Sequence, residues 1–423
     1  MPLSPGNFWR SIFRGQFFNL VVTSNYRYPS NKSHERKSHT VLQQSPKDSR
    51  PRVTWISIVG ARPQFVKLSP LCRAIDAHNN SGDSPIIDHR IVHTGQHYDP
   101  EVAEIFFVQM GIPQPDHNLA VGSGPHGVQL ARMLERLERV LSNERADWVL
   151  IYGDTNSTLA GALVGARLEL PLAHIEAGCR SAEMGMPEEH ARIVADHLSR
   201  LLLAPSQVAM DNLSREGIGG GSDPLNRKTE FVGDVMYDAL LFNVELAEKY
   251  AQQNLTRFAL VSKQYYLLTL HRAENTKNPE QLRRILEAAQ LLDFPVLFPI
   301  HPRTQKVLAA AGISANGNVR PTGPLGYLDM ISLEKHARKV LTDSGGVQKE
   351  AFYFNVPCVT LRETTEWPET VELGANMTVG TDQRKIRDAI LAPMHEGQWQ
   401  GAPYGNGDAS QKIVRTLLAA SGM

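Results

Sequence analysis

Three carboxylates stand where apolar runs give way to loops or helix starts: Asp154 in Gly153-Asp154-Thr-Asn-Ser157, Glu176 in His174-Ile-Glu176-Ala-Gly178, and Glu188 in Pro187-Glu188-Glu189. Carboxylates gathered on one edge raise one another's pKa, and one of them can then act as a general acid or base near neutral pH. Each has a plainer role as well. Asp154 and Ser157 are helix-capping types, and Glu188 precedes Arg192 by four residues, a helical ion pair worth about 0.2–0.5 kcal/mol. Glu176 ends an apolar strand, so it needs a partner in either case. Neighbours Glu188 and Glu189 point about 100° apart on a helix, so only one of them faces a given cleft.

A second group of residues suits an anion. In Asp343-Ser344-Gly345-Gly346-Val-Gln-Lys-Glu350 a strand runs into a glycine turn and then a helix. Exposed N–H groups at such a helix start favour phosphate or diphosphate, and Glu350, in the first turn, can reach a ribose diol. An ordinary strand-to-helix turn has the same composition. Gly60-Ala-Arg62-Pro-Gln-Phe-Val-Lys67 is the matching turn earlier in the chain, with Pro63 placed to open a helix and Arg62 and Lys67 able to reach one anion, or to lie on a solvated surface. The Gly60–Lys67 turn has neither the GxGxxG nor the Walker spacing, which argues against a nicotinamide cofactor or a kinase. His271 and Arg272 follow a strand in Leu-His-Arg-Ala-Glu-Asn275 and are expected to face the cleft opposite the carboxylates, His271 bonding a diphosphate unless it packs in the core. His93 and His97 lack the carboxylate or cysteine that would complete a metal site, so no metal is expected.

The elements that must position these residues follow one pattern. Val53–Val59, Ile86–His93, Trp148–Tyr152, Leu172–Glu176 and Leu201–Ala204 are short apolar runs separated by stretches of helical period. After a Gly/Ser/Asp/Pro-rich break at Gly217–Arg227 the pattern restarts, with Tyr265–Leu270, Pro295–Ile300, Lys339–Asp343 and Cys358–Leu361 as strands. Strands embedded among helices predict parallel sheets covered on both faces: an α/β protein of two doubly wound halves with a cleft between them. We expect residues 52–227 plus 400–423 to form the half that carries the carboxylates, and residues 228–399 the half that binds the anion.

Composition sets the bounds. The chain has 423 residues, enough for two or three domains, and 44 basic against 44 acidic side chains, which argues against a dedicated nucleic-acid surface. Its apolar runs fall short of a membrane span, so no membrane partner is expected. Three scattered cysteines, Cys72, Cys179 and Cys358, suggest a reducing, cytoplasmic compartment. Residues 1–50 hold eight basic residues and two acidic ones, with no apolar periodicity from Ser24 to Arg52. We read residues 1–51 as an appendage to the fold, a tail or a targeting segment.

Taken in order, GARPQFVKLSPL (60–71), HTGQHYD (93–99), GDTNST (153–158), HIEAGCRS (174–181), PEEHARIVAD (187–196), LHRAEN (270–275), PIHPRT (299–304), TDSGGVQKEA (342–351) and TEWPETVELGAN (365–376) resemble the non-hydrolysing UDP-N-acetylglucosamine 2-epimerase family, from Val53 to Ser421. The resemblance implies two Rossmann-like domains of the glycosyltransferase-B type and interconversion of UDP-GlcNAc and UDP-ManNAc without a cofactor. UDP would leave carbon 1 as a base takes the proton from carbon 2, giving 2-acetamidoglucal, and then add back. Carried onto this chain, Asp154, Glu176 and Glu188 become the acid/base set, and Arg62, Lys67, Arg192 and His271 become UDP or phosphate contacts. Ser344, Gly345, Gly346 and Glu350 become the diphosphate and ribose site, and a homodimer is expected. Two departures bear on the substrate: Gln64 replaces a Glu common in the family, and Trp367 an Arg. GARPQF and TEWPE together are similar to a branch acting on UDP-2,3-diacetamido-2,3-dideoxyglucuronate. A hydrolysing relative, a nucleotide-sugar glycosyltransferase and a UDP-sugar-binding regulator are the competing readings.

Overall fold

Runs rich in Val, Ile and Leu become strands buried on both faces, and each following helix lays an apolar stripe back onto the sheet. The computed structural model describes residues 50–96, 107–221, 223–270, 272–276, 278–300, 302–393, 399 and 401–421. The amino-terminal appendage expected from composition, together with His97, His271 and His301, lies outside the described residues.

The first sheet contains β1 (Arg52–Val59), β2 (Ile86–His93), β3 (His117–Asn118), β4 (Trp148–Tyr152), β5 (Leu172–Ile175), β6 (Leu201–Ala204) and β7 (Lys228–Phe231). Their order is β3-β2-β1-β4-β5-β6-β7, and every pair is parallel. The second sheet contains β8 (Tyr266–Thr269), β9 (Val296–Pro299), β10 (Val319–Thr322), β11 (Lys339–Thr342), β12 (Cys358–Thr360) and β13 (Asn376–Thr378), ordered β10-β9-β8-β11-β12-β13 and again wholly parallel. Strand order reverses between β1 and β4 in one sheet and between β8 and β11 in the other. Such switch points are where this architecture opens a crevice beyond the strand ends.

Alternate residues of β1 feed two cores. Val53, Trp55 and Val59 pack with Phe65, Leu68, Leu71 and Ile75 of the helix Arg62–Ser81, while Ile56 and Ile58 pack with Met133 and Leu137 of the helix His126–Leu141. The last helix, Ala409–Ala420, returns to the first of these cores through Ile413, Val414 and Leu417, and Trp148 Nε1 donates to Ser421 Oγ at 3.0 Å. The first sheet continues past the compositional break at Gly217–Arg227, because β7 pairs in register with β6. The helix Val235–Glu248 also enters that core, through Val235, Met236, Ala239 and Leu240. Among the described residues no helix is long and apolar enough to cross a membrane.

Candidate active site

All four switch-point loops carry charged or glycine residues. After β1, Gly60 admits no side chain, since a methyl group there would collide with the hydroxyls of Thr94 and Ser157. Gln64 then locks the turn. Its side-chain carbonyl accepts from the N–H groups of Gly60 at 2.8 Å and Ala61 at 3.1 Å, and its amide donates to Tyr152 O and Thr158 Oγ1, both at 3.1 Å. Only an amide accepts and donates at once in this way, and a carboxylate would lose both donors. Gln64 is 1% exposed, so this departure from the resembling family serves the turn.

The loop after β4 brings Asp154, and the loop after β5 brings Glu176. Between them His174 Nε2 donates to Gly153 O (2.8 Å) and its Nδ1 lies 2.6 Å from Asp196 Oδ1, and Asp196 Oδ2 also accepts from Gly178 N (3.0 Å) and Arg180 (2.7 Å). This buried brace fixes both loops. Burial opposes the Asp196 charge, but His174 and Arg180 outweigh it and hold its pKa below the usual range. Glu176, directly after β5, has φ 72°, a left-handed conformation that costs a non-glycine residue about 1–2 kcal/mol. Its side chain is 8% exposed, with Oε2 on Lys67 Nζ and Oε1 on Lys349 Nζ at 2.9 Å. Burial would raise its pKa, yet Lys67 and Lys349 together bring the carboxyl down to about 2.

Glu188 and Glu189 part company at the start of the helix Pro187–Leu198. Glu189 is buried and accepts from Ser181 N, Ser181 Oγ, Ala182 N and Arg192 at 2.7–3.1 Å. Glu188 is partly exposed and pairs with Arg272 of the second lobe at 3.3 Å. Arg192, expected to touch phosphate, is instead enclosed by carboxylates: it bonds Asp154 and Glu189 and lies 3.8 Å from Glu366. Burial opposes its charge, but Asp154 and Glu366 outweigh that and keep it protonated. The expected pairing of Glu188 with Arg192 is replaced by Glu188 with Arg272, because Glu189 and Asp154 already occupy the guanidinium.

The second lobe supplies the other wall. Arg272 follows β8, with its N–H on Asp343 Oδ2 at 3.1 Å and its guanidinium 3.2 Å from Glu366. Glu366 also meets Arg362 at 2.8 Å; burial would lift its pKa, but Arg362, Arg192 and Arg272 hold it at about 2. After β11 the helix Gly345–Tyr353 starts with Ser344 as its cap, and among the described residues the Ser344 hydroxyl accepts no helix N–H. A helix start of this kind suits an anion. A methyl at Gly345 would lie 3.1 Å from both Glu366 Oε1 and Trp367 Nε1, so the glycine turn adjoins Glu366, which lies 3.8 Å from Arg192. Farther along, Glu350 shares a charged pocket with Arg62, Tyr327 and Glu334; burial lifts Glu350 to about 7 against the pull of Arg62.

The structure thus gathers Asp154, Glu176, Glu188, Lys67, Arg192, Arg272 and the Ser344–Gly346 turn through direct contacts between the lobes, with Arg62 and Glu350 together beside them. Sequence reasoning missed Lys349, Glu366, Asp196 and Asp234, and gave Glu189 no partner. Lys349 and Glu366 lay inside SGGVQKE and TEWPE, but nothing local says that they face the other lobe. His93 stacks on Phe65 with ring centres 5.3 Å apart, and among the described residues no three His, Cys, Asp or Glu side chains group as a metal site.

Two doubly wound lobes, each with its switch-point loops turned toward the other, define an α/β protein of the glycosyltransferase-B type. A family model described as UDP-N-acetylglucosamine 2-epimerase matches residues 80–418. A Methanococcus maripaludis protein named a UDP-N-acetylglucosamine 2-epimerase homolog is 46% identical over 86% of this chain and 98% of its own. A Pseudomonas aeruginosa UDP-2,3-diacetamido-2,3-dideoxy-D-glucuronate 2-epimerase is 45% identical over 86% and 98%. The crystal structure of Methanocaldococcus jannaschii UDP-GlcNAc 2-epimerase, in complex with UDP-GlcNAc and UDP, superposes with a TM-score of 0.79 at 42% identity over 87% of this chain and 100% of that one. The chain belongs to the UDP-N-acetylglucosamine 2-epimerase family and is an isomerase.

Proposed function

We propose that the chain is a non-hydrolysing 2-epimerase that interconverts UDP-GlcNAc and UDP-ManNAc in the cleft between its lobes. The observation that carries this reading is the meeting of the carboxylates with the glycine-turn helix: Lys349 of that helix holds Glu176, and Gly345 adjoins the Glu366–Arg192–Asp154 chain. A diphosphate on the helix start at Gly345–Gly346 would place a sugar at the carboxylates, with the ribose toward Glu350 and with Arg62, His271 and Arg272 as further UDP contacts. Asp154, Glu176 and Glu188 form the acid/base set. One carboxylate removes the carbon-2 proton, the C–H pair becomes the C1–C2 double bond, and the C1–O pair leaves on the phosphate of UDP. Re-addition of UDP, with a proton delivered to the opposite face of carbon 2, completes inversion. Lobe closure keeps water from the glycal while it waits. The three buried free cysteines suit a cytoplasmic enzyme, and a homodimer is the commonest assembly.

A second substrate, the 2,3-diacetamido uronate, is favoured by Trp367. This residue is 5% exposed, and among the described residues its Nε1 has no hydrogen-bond partner. Proton NMR in deuterium oxide with both UDP-sugars tests the reading. The expected result is deuterium at carbon 2, a second UDP-linked epimer and no free ManNAc, with Glu176→Gln slowing exchange by about 10²–10⁴-fold. Free ManNAc appearing at the rate of UDP release would make the enzyme a hydrolysing relative, and no carbon-2 exchange with either sugar would remove the proposal.

A further inference from the structure

Glu176 is gripped from two lobes. Lys67, on the helix Arg62–Ser81, takes one oxygen, and Lys349, on the helix Gly345–Tyr353, takes the other at 2.9 Å. Lys349 is fully buried, lies 2.8 Å from Asp234, and has its ammonium 3.8 Å from the centre of the Trp367 ring. Asp234 also accepts from the Tyr353 hydroxyl at 2.6 Å and caps the helix Val235–Glu248 at Met236 N, 3.0 Å away. Lys67, Glu176, Lys349 and Asp234 thus alternate in charge and sum to zero. Among the described residues, Cys179 and Tyr353 also interact with Glu176, and burial holds both neutral. Every sequence-derived role on the glycine-turn helix fell on Ser344, Gly345, Gly346 and Glu350, which leaves Lys349 without one.

We propose that Lys349 is a positioning residue: carried on the nucleotide-binding lobe, its ammonium orients the Glu176 carboxylate of the other lobe and keeps it ionised, so that Glu176 is ready to take a proton only when the lobes meet. Lys67 alone leaves one carboxylate oxygen buried and unpaired, which penalises the charge. Lys349 supplies the second partner, and Asp234 with the Trp367 ring fixes the ammonium where it is needed.

The proposal rests on Glu176 belonging to the sugar site, and its test has one arm that needs no turnover. Carboxyl-carbon NMR of protein labelled at glutamate Cδ, with the Glu176 resonance assigned through Glu176→Gln, follows its titration directly. In Lys349→Met the Glu176 midpoint is expected to rise by about one to three pH units. Its kcat/KM is expected to fall away below about pH 5, where the wild type stays flat, and Lys349→Arg to restore most of both. Should Lys349→Met not fold, Lys349→Gln, which keeps a donor without the charge, carries the same measurement. An unmoved midpoint overturns the proposal, as does a moved midpoint whose pH–rate profile stays that of the wild type. A wild-type chain that epimerises no UDP-sugar removes the proposed function and the catalytic part of the proposal together, while the midpoint still decides whether Lys349 governs the Glu176 proton.

Discussion

Glu188 and Glu189 are adjacent and chemically identical, yet one closes a buried loop and the other meets a cation of the opposite lobe. Their rotation on the helix says that they differ; only the neighbours say which is which. Glu334 shows a further kind of residue that local pattern does not reveal. It is fully buried, beside Glu350 and Arg62. Burial, reinforced by Glu350, lifts its pKa well above the carboxylate range, and Glu350 itself rises from 4.5 to about 7. A carboxyl whose folded pKa exceeds its unfolded one adds stability at low pH, and that stability is lost as pH rises through the folded value. For Glu350 the window opens near pH 4.5 and runs through about 7, and for Glu334 it opens near the same pH. Glu334→Gln keeps the neutral form at every pH, so its melting temperature should exceed the wild type's at pH 8 and match it near the bottom of the window. An equal gap at both ends would show that the effect has nothing to do with the proton.

At the scale of elements, the core strands were legible because β1, β4, β5, β6, β8, β9, β11 and β12 are apolar runs, and the helices between them carry a clear stripe. The strands that escaped notice, β3, β7, β10 and β13, lie at or next to sheet edges and are partly exposed, so they show no apolar run. The turn after β1 was visible as glycine plus proline, but its tightness was not. Gly60 fits there because Thr94 and Ser157 press on it from neighbouring loops. Gly60→Ala should cost about 1–3 kcal/mol by overpacking, measured as a lower urea midpoint with an unchanged slope. A midpoint within error of the wild type would mean that the loops after β2 and β4 yield freely.

At the scale of the whole molecule, the helix Ala409–Ala420 returns to cover the first sheet. Leu417 is fully buried against the core that holds Trp148, Val53 and Leu71. Leu417→Ala should therefore destabilise the protein by about 2–5 kcal/mol, read by denaturant unfolding, whereas a helix merely resting on the surface would give a change well under 1 kcal/mol. By itself the sequence determined what is local: the strand-helix alternation, the glycine turns, the carboxylates at strand ends, and so the family. Apolar period and turn chemistry act over a few residues and leave their mark on the residues themselves. Tertiary structure decided who pairs with whom. Arg192 went to Asp154 and Glu189, Glu188 to Arg272, and Glu176 to two lysines 109 and 173 residues away. A buried charge takes the partner that folding brings within reach, and that distance is written in no single stretch of chain.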